Sequence, residues 1–148
     1  MNLYYDFISN FGEGLCGVKM ERKWAFIDKT GKVVIPINST YDSVWSFSEG
    51  LSGVRKGGWE TGKCGFIDKT GQEVIPFIYD DVWSFSGGLS EVEKDGKYGF
   101  IDKTGQEVTP FIYDDVGSFS EGLYRVKKDD KYGFINKQGV SPYPPPEF

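Results

Sequence analysis

The residues best placed to do chemistry are aspartates. Asp28, Asp68 and Asp102 each open the string Asp-Lys-Thr-Gly, the setting in which an aspartate at a strand end becomes an acyl-phosphate in phosphoryl-transfer enzymes. That reaction uses one such aspartate, with further loops to hold Mg²⁺. Here the strings continue as Lys-Val-Val or Gln-Glu-Val, and Asn136 takes the aspartate's place in a fourth version. A tight turn needs the same letters, because Asp or Asn hydrogen-bonds the backbone ahead of it and Gly accepts positive φ. The string reads as a turn and no catalytic residue is assigned.

Asp80-Asp81 and Asp114-Asp115 offer carboxylate pairs for acid/base work or a hard cation. Adjacent side chains on an extended strand point to opposite faces, so neither pair converges on one ion. Stacking of chain segments would instead bring Asp80 toward Asp114, and like charges in register need a cation between them. Lys69 and Lys103, with Lys29, are the expected partners; a weak Ca²⁺ site at Asp80 and Asp114 is the alternative. Cys16 and Cys64 are too few for a zinc site within one chain, and read as packing residues. No metal and no cofactor is expected.

Three tryptophans are the candidate contact residues. Trp45 and Trp83 share a slot in successive copies of the repeat described below, and Trp59 sits among Gly57, Gly58, Glu60 and Gly62. Aromatic rows on β arrays stack sugar rings or grip peptides, although rings more often fill cores. Trp45 and Trp83 are expected mainly in the core, and Trp59, in a glycine-rich loop, is the one with least to bury it.

Composition excludes much else. The 148 residues contain no histidine, which removes Ser-His-Asp and Cys-His catalysis, imidazole metal sites and a histidine switch. The net charge of −5 opposes binding to nucleic-acid phosphates. No run approaches the 18 apolar residues of a membrane span, and the first residues lack a secretion signal. The expectation is a cytoplasmic, non-enzymatic protein with no nucleic-acid partner and no membrane insertion.

The elements that carry these residues repeat. Phe-Ile-Asp-Lys-Thr-Gly occurs at 26–31, 66–71 and 100–105, and Phe-Ile-Asn-Lys-Gln-Gly at 134–139, spaced by 40, 34 and 34 residues. Phe-x-x-Gly-Leu recurs at 11–15, 47–51, 85–89 and 119–123, and Tyr-Asp at 5, 41, 79 and 113. The copies are 5–40, 41–78, 79–112 and 113–148, a single array over 1–148 with a Pro-rich tail at 141–148. The longer first spacing comes from Asn38-Ser39-Thr40 and an insertion around Trp59. Residues 65–86 and 99–120 agree at 20 of 22 positions, differing at Ile75/Thr109 and Trp83/Gly117.

With one Ala, five Leu, 20 Gly and 7 Pro, long helices are not encoded. Asp95-Gly96 between two alternating segments predicts a type I′ hairpin. Each copy should hold about three short antiparallel strands, and the stretch Tyr113–Phe119 is expected to be extended rather than one helical turn. Such a unit cannot bury an apolar face alone and must stack on its neighbours. The fold class is all-β: four tandem units in an open, twisted β-hairpin array or solenoid, with a closed propeller-like ring as the alternative. Cys64, in a slot otherwise held by Trp24, Tyr98 and Tyr132, leaves the neighbouring Gly65 without an aromatic cover. Copy two should therefore be the loosest.

The unit Tyr-Asp-Asp-Val, then Phe-Ser-x-Gly-Leu, then Gly-Phe-Ile-Asp-Lys-Thr-Gly, over residues 5 to about 140, resembles the WG-repeat (KWG) family of bacterial proteins. The name-giving dipeptide stands here as Trp24-Ala25, Cys64-Gly65, Tyr98-Gly99 and Tyr132-Gly133. The resemblance implies a β-rich bacterial repeat and no general activity. The expected function is a protein–protein interaction module with an unknown protein partner; the alternative is a carbohydrate or cell-surface binder using exposed Trp45, Trp83 and Trp59.

Overall fold

Short alternating segments separated by glycine turns pair with their sequence neighbours, and the outcome is β-structure throughout. The computed structural model describes residues 4–36, 41–58 and 60–142, and among these there is no helix. The first sheet holds β1 (Phe7–Gly12), β2 (Leu15–Met20), β3 (Lys23–Ile27) and β4 (Val33–Pro36) in that spatial order. The second repeats it with β5 (Tyr41–Val44), β6 (Leu51–Lys56), β7 (Lys63–Asp68) and β8 (Glu73–Tyr79). The third has β9 (Asp81–Val82), β10 (Leu89–Lys94) and β11 (Lys97–Asp102); the fourth has β12 (Asp115–Ser120), β13 (Leu123–Lys128) and β14 (Lys131–Ile135). Every strand pair is antiparallel. The stretch after Tyr113 is extended, as β12.

Two of the four sheets have a fourth strand beyond the three expected, and one residue shows why the third lacks it. In the second sheet Ile75 pairs with Phe66 along β8. The equivalent Thr109 is buried, and its hydroxyl accepts the Phe100 N–H at 3.0 Å. A side chain thus satisfies a donor that backbone pairing would otherwise take, and only isolated bridges at Tyr98–Tyr113 and Ile101–Glu107 remain of the outer strand.

The core lies between the sheets. Leu15, Trp24, Phe26 and Ile35 of the first copy meet Tyr41, Val44, Phe47 and Val54 of the second. Leu51, Phe66 and Ile75 of the second meet Val82, Phe85 and Val92 of the third, and Leu89 and Phe100 of the third meet Tyr124, Val126 and Ile135 of the fourth. Recurrent edge-to-face pairs mark the first two junctions: Phe26–Phe47 at 4.7 Å and 65°, and Phe66–Phe85 at 4.8 Å and 64°. Each buried phenylalanine is worth roughly 1.5–3 kcal/mol, realised only when the neighbouring copy is present. Sheets come so close that a Cβ on Gly53 would lie 2.9 Å from a Val82 methyl. The array is open, not closed into a barrel.

The recurrent aspartates are builders. Asp28, Asp68 and Asp102 each accept the backbone N–H two residues on at 2.9 Å and the one four residues on at 3.1 Å. The threonine hydroxyl also donates to each, and this bond is the main cause that holds their carboxyls below the ordinary aspartate value. Asn136 makes the same turn by accepting the Gln138 and Val140 N–H groups. Asp6, Asp80 and Asp114 tie down the β2–β3, β10–β11 and β13–β14 turns by accepting the N–H of Glu21, Asp95 and Asp129 at 2.9, 2.7 and 2.9 Å.

Two expectations are corrected. Asp80 and Asp114 pair with Lys63 and Lys97, whereas Lys69 and Lys103 reach Glu13 and Glu49, each at 3.5 Å. The lysine that begins each β7-type strand is nearer to the aspartate than the one in the turn at its far end. Copy two is not loose: Cys64 and Phe66 are fully buried. Gly65 is covered from the outer strand, where the Ile75 carbonyl and Phe77 ring crowd its Cβ position, so no aromatic is needed at 64. The tail at 143–148 and the insertion at 37–40 lie outside the described residues.

Candidate functional site

Because the copies are equivalent, a site is best sought where one junction differs from the others. Between the first and second sheets a crevice of about 680 Å³ opens, walled by Phe7, Lys19 and Trp24 on one side and Asp42–Trp45 on the other. The register places Lys19 opposite Trp24 across β2–β3, with the Lys19 ammonium 5.9 Å from the indole. Phe7 packs edge-on against the same indole at 5.7 Å and 68°. The Trp24 ring is 3% exposed, yet its Nε1–H has no hydrogen-bond partner. A buried donor left unmade costs about 1–3 kcal/mol, an incentive for an acceptor to enter.

At the next junction two substitutions close the same space. Arg55 takes the slot of Lys19, and Cys64 that of Trp24. The Arg55 guanidinium is buried, donates to the Asp80 carbonyl at 2.8 Å and to the Gly62 carbonyl at 3.5 Å, and lies 3.9 Å from the Asp81 carboxylate. The planar fork of arginine fills the gap and caps acceptors together, which a lysine ammonium cannot do. Burial pushes the Cys64 thiol up to about 11, so it stays protonated. Both cysteines are buried and free, in keeping with a packing role.

The insertion unique to copy two is fastened to the open crevice. The Gly58 N–H donates to the Asp42 carboxylate at 2.7 Å, and the Thr61 hydroxyl donates to the Gly57 carbonyl at 3.0 Å. Asp42 is the recurrent turn-holding aspartate, here turned to the inserted loop. Trp59, between Gly58 and Glu60, lies outside the described residues.

The other candidate tryptophans divide. Trp45 lines the crevice and is half-buried against the second core cluster. Trp83 is 38% exposed and tilts against Tyr98 at 5.7 Å, away from that crevice. Trp45 and Trp83 are thus not brought to one crevice. Sequence reasoning missed Trp24 as a wall of the site, since it read that slot as backbone cover. The signal was the run Lys19, Arg55, Glu93, Lys127 at an otherwise repetitive position.

The family model described as WG containing repeat matches residues 3–24, 24–58, 65–98 and 98–132. The chain belongs to the WG-repeat family. Two of the four matched frames start at the large-residue slot, at Trp24 and Tyr98, the same period in a different phase from copies counted at Tyr-Asp. No curated protein matches this WG-repeat chain. Among solved structures it is similar to Hsv2 of Kluyveromyces lactis with complete loop 6CD, at TM-score 0.54 and 10% identity, over 88% of this chain and 43% of that one. It is likewise similar to KlHsv2 with loop 6CD replaced by a Gly-Ser linker, at TM-score 0.55 and 10% identity, over 87% and 47%. The WG-repeat chain thus spans somewhat less than half the length of these β-propeller-like proteins. The likeness concerns the fold: successive small antiparallel sheets packed face to face. Among the described residues no helix is long and apolar enough to cross a membrane.

Proposed function

We propose that this WG-repeat chain is a non-enzymatic, cytoplasmic protein-interaction module of bacterial origin whose partner inserts an extended segment into the crevice between the first two sheets. The observation that carries the reading is the unpartnered Trp24 Nε1–H beside an apolar opening at one junction, with its equivalent at the next junction filled. A peptide supplies both needs, a side chain for the cavity and a backbone carbonyl for the indole. The rim mixes Asp6, Glu21 and Asp42 with Lys19 and Arg22, which suits polar backbone and side chains at the edge of an apolar contact. A sugar ring needs an open aromatic face; Trp24 is buried and Trp45 half-buried, which weighs against the glycan alternative at this site.

The test is to plug the crevice with the residues that close its neighbour. Lys19→Arg with Ser43→Asp recreates the Arg55–Asp81 arrangement without touching Trp24. Peptides selected from a displayed library on the unaltered protein are expected to lose at least about tenfold in affinity for the plugged variant, about 1.4 kcal/mol. Their binding to Trp83→Ala should be unchanged. Equal binding to plugged and unaltered protein refutes the site, and selection of glycans alone would favour the other class of ligand.

A further inference from the structure

Each interior sheet is held from both sides, and the contacts have a direction. The carboxylate of Glu13 in the first copy accepts the Gly50 N–H of the second at 2.9 Å and lies 3.5 Å from Lys69. One copy on, Glu49 accepts the Gly87 and Gly88 N–H groups at 2.7 and 2.8 Å and lies 3.5 Å from Lys103. The preceding sheet gives the glutamate; the following sheet gives a glycine N–H and a lysine. Glycine at 87 interrupts the series at the third junction, where the Lys137 ammonium stands instead.

The outer sheets carry the two halves of this clasp. Glu121 holds the glutamate slot on the last sheet, and Gly14 and Lys29 hold the donor slots on the first. The apolar surfaces match in the same sense. Phe11 and Ile8 are 52% and 59% exposed, although their equivalents Phe47 and Val44 are 2% and 8% and Phe85 and Val82 are 1% and 2%. On the last sheet Phe134 is 43% exposed, where Phe26, Phe66 and Phe100 are at most 1%. Beside it a crevice of about 420 Å³ is walled by Asp115, Lys127 and Tyr132. These are the slots of Phe7, Lys19 and Trp24, without the far wall that Asp42–Trp45 provide at the first junction.

We propose that a second copy of this chain docks head to tail, its first sheet covering the last sheet of its partner as each sheet covers the one before it within a chain. Asp6–Ser9 of the incoming copy then supply the missing wall, Phe11 enters beside Phe134, and Glu121 meets Lys29 and the Gly14 N–H. The contact is heterologous, so it closes into a ring if the rotation allows and otherwise extends. The β-propeller-like neighbours are a little over twice this chain's matched length, which makes a closed pair of two copies the expected assembly. The contact shares Asp6 and Phe7 with the peptide crevice, whose other walls, Trp24 and Asp42–Trp45, lie inside one chain.

The experiment is sedimentation of the whole chain across a concentration series. Wild type should show a two-copy species, and Phe11→Glu, a change at an exposed ring, should be monomeric with an unaltered far-ultraviolet spectrum. Glu121→Lys and Lys29→Glu should each weaken association about fivefold or more, about 1 kcal/mol. The chain carrying both changes should recover it, because the reversed charges meet only across a head-to-tail contact. Larger species that also dissociate on Phe11→Glu support the same contact without closure. A wild type that stays monomeric, or association that both single charge changes leave untouched, overturns the proposal. Binding of peptide to the crevice is read separately on Phe11→Glu, which leaves Trp24 and Asp42–Trp45 in place, so that failure of one proposal is distinguishable from failure of the other.

Discussion

The first and second junctions are built on the same backbone and end in opposite states. At the second, arginine, cysteine and aspartate fill the space between the sheets; at the first, lysine, tryptophan and serine at those slots leave it open. Repetition of the scaffold does not repeat the surface. A few side chains per junction, at positions that vary from copy to copy, decide whether a seam is sealed or offers a cavity. The inserted loop around Gly58 attaches at the open seam through Asp42.

The comparison breaks first if the seams are not what holds the array together. Phe66→Ala removes a fully buried ring that meets Phe85 at 4.8 Å and should cost about 3–5 kcal/mol in urea unfolding. Phe11→Ala, the same residue type at an outer face, should change monomer stability by less than about 0.5 kcal/mol. Equal effects would mean that stability resides within single sheets. Next in size is Arg55→Lys, which should open the second seam. The Asp80 carbonyl loses its 2.8 Å donor, and the expected loss is about 2 kcal/mol. The reverse change, Lys19→Arg, should cost nothing measurable, because the first seam leaves no carbonyl to be abandoned.

How far the sequence revealed this follows from what repetition can and cannot encode. Four units, antiparallel hairpins and dependence on stacking were legible because they rest on recurring strings: the Asp-Lys-Thr-Gly turns and the Asp95-Gly96 hairpin, whose φ values are 54° and 83°, came out as read. The outer strand was half-legible. Ile75 and Thr109 differ by an ethyl group in place of a hydroxyl, and nothing short of the fold shows that the hydroxyl caps Phe100. The ion pairs were misassigned because Lys69 and Lys63 are equally lysines in sequence; only the antiparallel register separates the end of β7 near Asp80 from the end near Glu13. The crevice escaped notice because it belongs to no copy. Lys19, Trp24 and Asp42 lie in two units, and unit-by-unit reading never sets them side by side.

A third seam sharpens the contrast through pH. Glu91 stands where Gly17 and Gly53 stand in earlier copies, facing the space that Gly117 leaves by replacing a tryptophan. Burial, and to a lesser degree the nearby Asp115 charge, raises its carboxyl to about 7. The folded state therefore holds the proton more tightly than the unfolded chain. Its stabilising effect is complete below the unfolded value of about 4.5 and is lost as pH rises toward 7. Since the side chain is only partly buried, solvent screening limits the effect to about 1 kcal/mol. Glu91→Gln should remove that part of the difference in urea midpoint between pH 5 and pH 8. A difference as large in the variant as in wild type would assign it to other carboxylates.

The smallest effect tests whether turns in equivalent places are equally relaxed. The third copy turns through Asp95-Gly96, and the fourth through Asp129-Asp130, where both residues lack the freedom of glycine yet sit at φ 52° and 62°. The left-handed region costs an L-residue about 1 kcal/mol, somewhat less for aspartate. The Asp130 carboxylate returns little, since its approach to Lys127 is 4.0 Å and its side chain is 99% exposed. The structural anchor of the turn, the Asp129 N–H donated to Asp114 at 2.9 Å, does not involve the Asp130 side chain. Asp130→Gly should therefore raise stability by about 0.5 kcal/mol even after the added entropy of the unfolded chain. The mirror change, Gly96→Asp in the third copy, should lower it by a similar amount. If both changes destabilise, the two turns are not equivalent and the fourth sheet has found its own use for an aspartate at that corner.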